Sequence, residues 1–425
     1  MTLREELLKN IDIKSFNKAT EAIDKRDFPR AITLLKRVLK RVEFKEVLIN
    51  LGVAYKGIND IRKCREYFLK ANDPSVPDGN GNYTHTNPMA LTNAGLSYFA
   101  EERDDLAEIC YKQVLADNPL YYEAIWNLSL AKLRQYCSNK FDDLPLAWQY
   151  YTYRFKRDKA EPLKNDNPKL LMWDFTKDLR SYQTSISQSN TTQSSNALPE
   201  NSIVVLMEQG MGDNIMFGRY LPYLKNYFDE VWVQCTPELN YIFSDYKTCI
   251  RTSDANARYA VPMCSLGKIL DYIPPGEWLA NKYVEKKRSD ALEIMCIWKG
   301  NNEHVNALNR NVPAGYFDKL HKFGNLHSVI PRKDYSLMEI VDWETTTKYL
   351  EKIDIVVTID SSVAHLCGSL GKPCLVIMPL LDTDFRWGDS SMGFSNKWYN
   401  SVKVIRNNGS WDSAFKLVET CLSAL

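Results

Sequence analysis

The 425-residue chain carries a formal net charge of +1 at pH 7 and 44% hydrophobic residues, enough for packed cores in two or three domains. A charge so close to zero excludes a globally basic nucleic-acid coat and a globally acidic tail. The ten cysteines form no C-x-x-C pair and sit mostly in apolar runs, as Cys296 does in EIMCIW and Cys374 in CLVIMP. That usage predicts buried thiols in a reducing compartment rather than a disulfide or metal framework.

The N-terminal MTLREELLKNIDIK has no apolar core of signal-peptide length, and no run approaches the roughly 20 apolar residues of a spanning helix. A cytoplasmic protein without membrane insertion is therefore expected. The first 155 residues predict helical hairpins. In KATEAIDKRDFPRAITLLKRVL, INLGVAYKGINDIRKCREYFLKA and TNAGLSYFAEERDDLAEICYKQVLADNP, a small residue (Ala19, Gly52, Gly95) precedes another (Ala31, Cys64, Ala107) by twelve positions. Gly95 and Ser129 are 34 residues apart, and Pro119 closes the third unit. These spacings resemble the tetratricopeptide repeat, whose small residues let paired helices approach. DPSVPDGNGNYTHTNP widens the gap after the second unit. A fourth unit, YYEAIWNLSLAKLRQY, leads to a closing helix in DLPLAWQYYTYRFK. Such a stack suits a protein partner or a rigid spacer. Between Arg30 and Arg65, basic residues outnumber Glu43, Glu46 and Asp60, so this stretch is a solvated face or a surface for an acidic partner.

The polar stretch from Arg180 to Ser202 cannot build a core and predicts a linker or insertion. Beyond it SIVVLM, EVWVQC, EIMCIW, HSVIP, IDIVVTID and CLVIMP predict short strands, most of them separated by helix-length segments. That alternation implies a parallel sheet with crossover helices. The strands fall into two groups on either side of residues 279–292, consistent with two α/β halves facing a cleft.

Three places carry residues suited to chemistry. In IVVTIDSSVAHLCGSLGKPCLVIMP a buried strand ends at Asp360, Ser361 and Ser362 open a helix, and Gly371-Lys372-Pro373 turns into the next strand. Free amides at a helix start, with two hydroxyls beside them, suit an anion, and His365 shares a helical face with Ser361. The alternative is that the serines cap the helix and His365 is a satisfied interior residue. In IWKGNNEHVNALNRNVP a strand ends at Trp298, and the following loop brings Lys299, His304 and Arg310, cations able to neutralise a diphosphate or to be incidental surface charges. In EQGMGDN, Gly210, Met211 and Gly212 let a backbone approach a ligand closely. The stretch lacks both the full dinucleotide glycine spacing and a P-loop lysine. Asp213 at that helix start is placed either to cap the helix or to accept a proton.

Taken in order, MWDF, VVLMEQGMGDNIMFGRYLPYL, CSLGKILDYIPP, IWKGNNEHVNALNRNVP, VDWETTTKYLEKIDIVVTIDSSVAHLCGSLGKPCLVIMP and DFRWGDSS are similar to tetratricopeptide proteins ending in a glycosyltransferase family 9-like domain, related to the lipopolysaccharide heptosyltransferases. The resemblance spans nearly all of residues 150–425. It implies an α plus α/β chain: helical repeats over residues 1–155, a linker with a polar insertion over 156–202, and a GT-B fold of two Rossmann-like halves, acceptor-side at 203–285 and nucleotide-sugar-binding at 286–425. It further implies inverting, metal-independent transfer from a nucleotide-diphosphate sugar, with no cofactor. By the resemblance Asp213 is the base, and Asp360, Ser361, Ser362 and His365 hold the donor phosphates beside the Gly210–Gly212 turn. Lys299 or Arg310 neutralises the leaving group.

The acceptor stays open between a protein side chain, a glycan and a modified nucleic-acid base, recruited through the repeats. Competing readings are a non-catalytic scaffold that holds a nucleotide or a partner, and a nucleotide-sugar epimerase.

Overall fold

The computed structural model describes residues 13–158, 160, 162–173, 201–270, 272–284, 291–302 and 306–425. His304, nearly all of the polar stretch before Ser202 and most of MTLREELLKNIDIK lie outside the described residues. Contacts divide the chain into two compact units, residues 1–135 with 153–160 and residues 136–152 with 161–425.

The first unit holds helices α1 (Ile13–Asp24), α2 (Phe28–Leu39), α3 (Lys45–Gly57), α4 (Ile61–Ala71), α5 (Pro88–Ala100), α6 (Asp104–Asp117) and most of α7 (Tyr122–Cys137). Helices α1 to α6 pair as hairpins, α1 with α2, α3 with α4 and α5 with α6, and neighbouring hairpins pack α2 on α3 and α4 on α5. Each hairpin turns at the same place, through a left-handed residue: Arg26 (φ 57°), Asn59 (φ 62°) and Glu102 (φ 60°). Asp27 and Asp60 follow directly and cap the second helix of their pairs, accepting from the amides of Arg30 and Lys63. The small residues do what their spacing predicts. Gly52 faces Phe68, whose Cε1 would sit 2.6 Å from an added Cβ, and Ala19, Ala31 and Ala107 are fully buried. In the widened gap the Asp78 carboxylate accepts the amides of Asn80 and Asn82, both at 2.8 Å, and the buried Lys45 ammonium donates to Thr84 Oγ1 at 2.7 Å.

The second unit begins with α8 (Leu144–Thr152), which falls in the range expected for the repeats yet packs on the 3₁₀ turn Met263–Ile269. There Gly267 leaves room for the Trp148 indole, 2.6 Å from the place of a Cβ. Five parallel strands follow, β1 (Leu171–Met172), β2 (Ser202–Leu206), β3 (Glu230–Gln234), β4 (Lys247–Cys249) and β5 (Tyr259–Pro262), in the order β1-β5-β2-β3-β4. A second sheet of six parallel strands comprises β6 (Leu292–Ile297), β7 (Gly324–Ser328), β8 (Ser336–Leu337), β9 (Ile355–Ile359), β10 (Cys374–Ile377) and β11 (Val402–Ile405), in the order β11-β10-β9-β6-β7-β8. The longer helices among them are α9 (Met211–Phe217), α10 (Trp343–Leu350), α11 (Ser362–Leu370) and α12 (Trp411–Ser423). Strands β2 and β9 are buried along their whole length, which explains their unbroken runs SIVVL and IVVTI.

All six predicted strands are present, although the one expected at HSVIP lies upstream at Gly324–Ser328, where Gly324 packs against the Leu292 backbone. Topology singles out two positions. In the first sheet the chain leaves β2 towards β3 and returns to β5 on the other side, so the order reverses beside β2. In the second it leaves β6 towards β7 and returns to β9 on the other side. Ligands of open parallel sheets bind beyond the carboxyl ends of strands at such reversals.

Gly52→Ala tests the helix-pair contact. Alanine gains up to about 1 kcal/mol in helix propensity, but the buried Phe68 ring cannot yield, and overpacking costs about 1–3 kcal/mol. A lower midpoint in urea is expected; a midpoint equal to or above that of the parent contradicts this packing.

Candidate functional site

The EQGMGDN turn leaves the carboxyl end of β2, at the first reversal. Gln209 bends the chain at φ 56°, and α9 starts two residues later. Asn214, fully buried, ties the turn together: its Nδ2 donates to Glu208 O at 2.9 Å and to Gly210 O at 2.8 Å. The Glu208 carboxylate accepts from the Cys264 amide at 2.8 Å. Asp213 does cap, because the Gly210 amide donates to its Oδ2 at 3.0 Å. Met211 is exposed, whereas Gly212 is buried.

Asp360 and Ser361 leave β9, at the second reversal, and Ser362 opens α11. Ser361 stands at the helix cap without bonding the helix through its side chain; its Oγ lies 2.9 Å from Thr358 Oγ1. The helix ends at Gly371 in the left-handed region (φ 78°), the conformation glycine adopts without strain.

These two helix starts, about 150 residues apart in sequence, touch at Gly212. A Cβ there would lie 3.0 Å from His365 Cδ2 and 3.1 Å from the Ser362 Cα, so any larger residue needs its neighbours to give way by a few tenths of an ångström. The contact is braced nearby. Arg219, buried, donates to Met216 O at 3.0 Å and Trp398 O at 2.8 Å, and lies over the Tyr399 ring. Trp278 Nε1 donates to Ile215 O at 3.0 Å and to Ser369 Oγ at 3.1 Å.

The loop after β10 supplies groups for which no role was expected. Arg386 Nη2 donates to Asp213 Oδ1, and its Nη1 donates to Asp384 Oδ2 at 2.7 Å. Trp387 Nε1 donates to Asp360 Oδ1 at 3.0 Å, and its ring stacks on His365 at 5.3 Å and 18°. His365 Nδ1 lies 3.0 Å from the Tyr399 hydroxyl. Arg406 fixes the loop, donating to Trp387 O at 2.6 Å and to Gly393 O at 3.1 Å. The available signal was DFRW itself, which holds the one cation among the aspartates of LLDTDFRWGDSS.

The two basic candidates part company. The positive charge of Arg310 helps to stabilise ionised Asp360, and its Nη2 lies 2.8 Å from the place of a Cβ on Gly300. Lys299 is exposed, and no hydrogen bond or ion pair ties it to the cluster among the described residues. Among those residues there is also no group of three or more His, Cys, Asp or Glu able to hold a metal ion.

Burial dominates the electrostatics. It pushes the Asp213 carboxyl above its ordinary range, with Asp384 and Glu208 adding to the rise and Arg386 and the Gly210 amide opposing it. Burial and the charge of Asp384 push Asp360 up to about 6. Asp384 itself is held low, because Arg386 outweighs its burial. Burial, with Arg386 nearby, pushes His365 down to about 3, so its ring is neutral.

These shifts set a pH dependence. The folded value of His365 lies below the ordinary 6.5, so the unfolded chain binds more protons between the two, and stability falls as pH drops through that window. Asp360 acts in the opposite sense between its ordinary 3.8 and about 6. His365→Gln removes only the first contribution. The stability gap between parent and variant, from urea unfolding, is expected to shrink from about pH 7 to about pH 5; a gap constant with pH contradicts a neutral buried His365.

No family model and no curated protein matches this chain. Solved structures do match. MamA aligns at 18% identity over 35% of this chain and 81% of its own, with a TM-score of 0.28. A tetratricopeptide repeat protein from Parabacteroides merdae aligns at 18% identity over 37% of this chain and 54% of its own, TM-score 0.28. The bacterial iron-containing dodecameric glycosyltransferase TibC from enterotoxigenic E. coli aligns at 9% identity over 51% of this chain and 66% of its own, TM-score 0.36.

Proposed function

We propose that the chain is a glycosyltransferase of GT-B type that moves a sugar from a nucleoside-diphosphate donor to an acceptor hydroxyl with inversion. The observation that carries this reading is the meeting, at Gly212, of a carboxylate-bearing turn and a hydroxyl-bearing helix start, each at the reversal point of its own parallel sheet. In this reading the acceptor oxygen attacks the anomeric carbon while Asp213 takes its proton. The bond from that carbon to the diphosphate oxygen breaks, and the diphosphate departs with the electron pair. Burial raises the affinity of Asp213 for a proton, which suits a base. The amides at the start of α11, Ser361, Ser362 and Arg310 take the charge of the leaving group. Arg310 is preferred to Lys299 because it lies within the electrostatic reach of Asp360.

The helical repeats are assigned to recruiting the acceptor, and a protein or glycan is favoured over a nucleic acid. Several members of the basic stretch are already engaged: Lys45 with Thr84, Lys63 with Asp60 and Arg65 with Glu101. That leaves a weaker field for phosphate backbones.

A second reading, a nucleotide-holding scaffold without turnover, is favoured by one observation: both oxygens of Asp213 already have partners, in Arg386 and the Gly210 amide.

The two readings separate in one assay. With a panel of nucleoside-diphosphate sugars, and water standing in for the acceptor hydroxyl, the enzyme reading predicts slow nucleotide release from at least one donor. It also predicts that Asp213→Asn slows that release about 10²–10⁴-fold while the thermal shift given by the donor persists. A thermal shift without release from any donor favours the scaffold, and undiminished release by Asp213→Asn removes Asp213 as the base.

A further inference from the structure

The loop after β10 belongs to the second sheet, yet its arginine is in contact with the carboxylate on the first. Arg386 is buried, and it is held from two directions. Asp384 takes both its backbone amide, at 2.9 Å, and its Nη1, at 2.7 Å. Its remaining Nη2 is thereby aimed at Asp213 Oδ1. Asp213 Oδ2 is meanwhile fixed by the Gly210 amide, so the carboxylate plane is set at both ends. Arg386 Nε is buried and has no partner among the described groups.

From this geometry we infer that Arg386 is a positioning residue for Asp213, that Asp384 anchors it, and that the Asp384–Arg386–Asp213 chain lets the second sheet set both the orientation and the proton affinity of the carboxylate on the first. The importance of this for catalysis rests on the reading of Asp213 as the base; the chain of contacts itself is independent of any substrate.

The charges facing Asp213 are few and nameable. From its own segment come Glu208 and the Gly210 amide, and from the loop after β10 come Arg386 and Asp384. α11 packs against it through Ser362 and the neutral His365, which add no net charge. Arg386 favours the ionised carboxylate and Asp384 disfavours it. Removing either residue therefore moves Asp213 in opposite directions. Without Arg386, burial, Asp384 and Glu208 are opposed only by the Gly210 amide, and the carboxyl becomes harder to ionise. Without the charge of Asp384, Arg386 serves Asp213 alone, and ionisation becomes easier. Both signs follow from charge alone; what charge alone does not give is a difference at residue 386 between the two-nitrogen fork of arginine and the single ammonium of lysine.

The test needs no donor. The full chain is labelled with aspartate carrying ¹³C at the side-chain carboxyl, and the Asp213 resonance is identified by its loss in Asp213→Asn. Its titration is then followed in the parent, Arg386→Gln, Arg386→Lys and Asp384→Asn. The expected result is an upward shift of about one pH unit or more in Arg386→Gln, and a downward shift in Asp384→Asn. Arg386→Lys, which keeps the charge and loses the fork, is expected between the parent and Arg386→Gln. Shifts of the same sign in Arg386→Gln and Asp384→Asn, or no shift in either, overturn the inference. If Arg386→Gln does not fold, Asp384→Asn and Arg386→Lys decide: an Asp213 titration unmoved in both overturns it as well. Failure of the glycosyl-transfer reading appears separately, as absent nucleotide release with these titration shifts intact.

Discussion

At residue 212 two helix starts meet so closely that a Cβ would press on both the His365 ring and the Ser362 backbone. The Gly212 backbone lies against the Ser362 Cα and the His365 ring, so α9 and α11 meet at their first turns. That contact brings the features of the two segments together. It places the Asp213 carboxylate beside the loop after β10, and it sets Ser361 and Ser362 on the far side of the same junction. It also encloses His365, whose ring is stacked on Trp387 and hydrogen-bonded to Tyr399. A larger residue at 212 would have to displace backbone rather than a flexible side chain, and close-packed interiors yield little.

The junction concentrates charge where water is scarce. Arg386 and Asp384 both act on Asp213 and Asp360, Arg310 acts on Asp360, and burial is the leading influence on all three carboxyls. Structural ion pairs of this kind seldom add net stability, since desolvation offsets much of the attraction. Opposed shifts within one small cluster are a mark of functional sites. Here one carboxyl is held high at about 6 and its neighbour is held low by an arginine. The surrounding apolar shell supplies the rigidity that such an arrangement demands, with Trp387 and Trp398 among the largest fully buried side chains.

Much of the scaffold was legible in the sequence, for physical reasons that differ by region. The hairpins were visible because glycine and alanine recur where two helix backbones approach, as at Gly52 against Phe68. Most central strands were visible because burial on both faces demands an unbroken apolar run, as in β2 and β9, whereas the central β5, four residues long and ending at Pro262, did not stand out. Edge strands were not: β1 and β8 have two residues each, all exposed, and leave no pattern to read. The turn at Gly210–Asp213 and the helix start at Ser361–His365 stood out through local chemistry. What escaped notice depends on long-range packing. Nothing near DFRW in sequence shows that Arg386 reaches a carboxylate 173 positions earlier, or that Asn214 holds the turn from within. The effect of Arg310 on Asp360, 50 positions later, likewise depends on the fold and on no local pattern.

If segments from two sheets form one site, both must respond to one donor. Hydrogen–deuterium exchange of the full chain, with and without the nucleoside-diphosphate sugar that gives the largest thermal shift, tests it most directly. The account predicts slowed exchange at the amides of residues 210–214 and 361–365 together, on addition of that one donor. Protection confined to one segment, with the other exchanging as in the free protein, would contradict it.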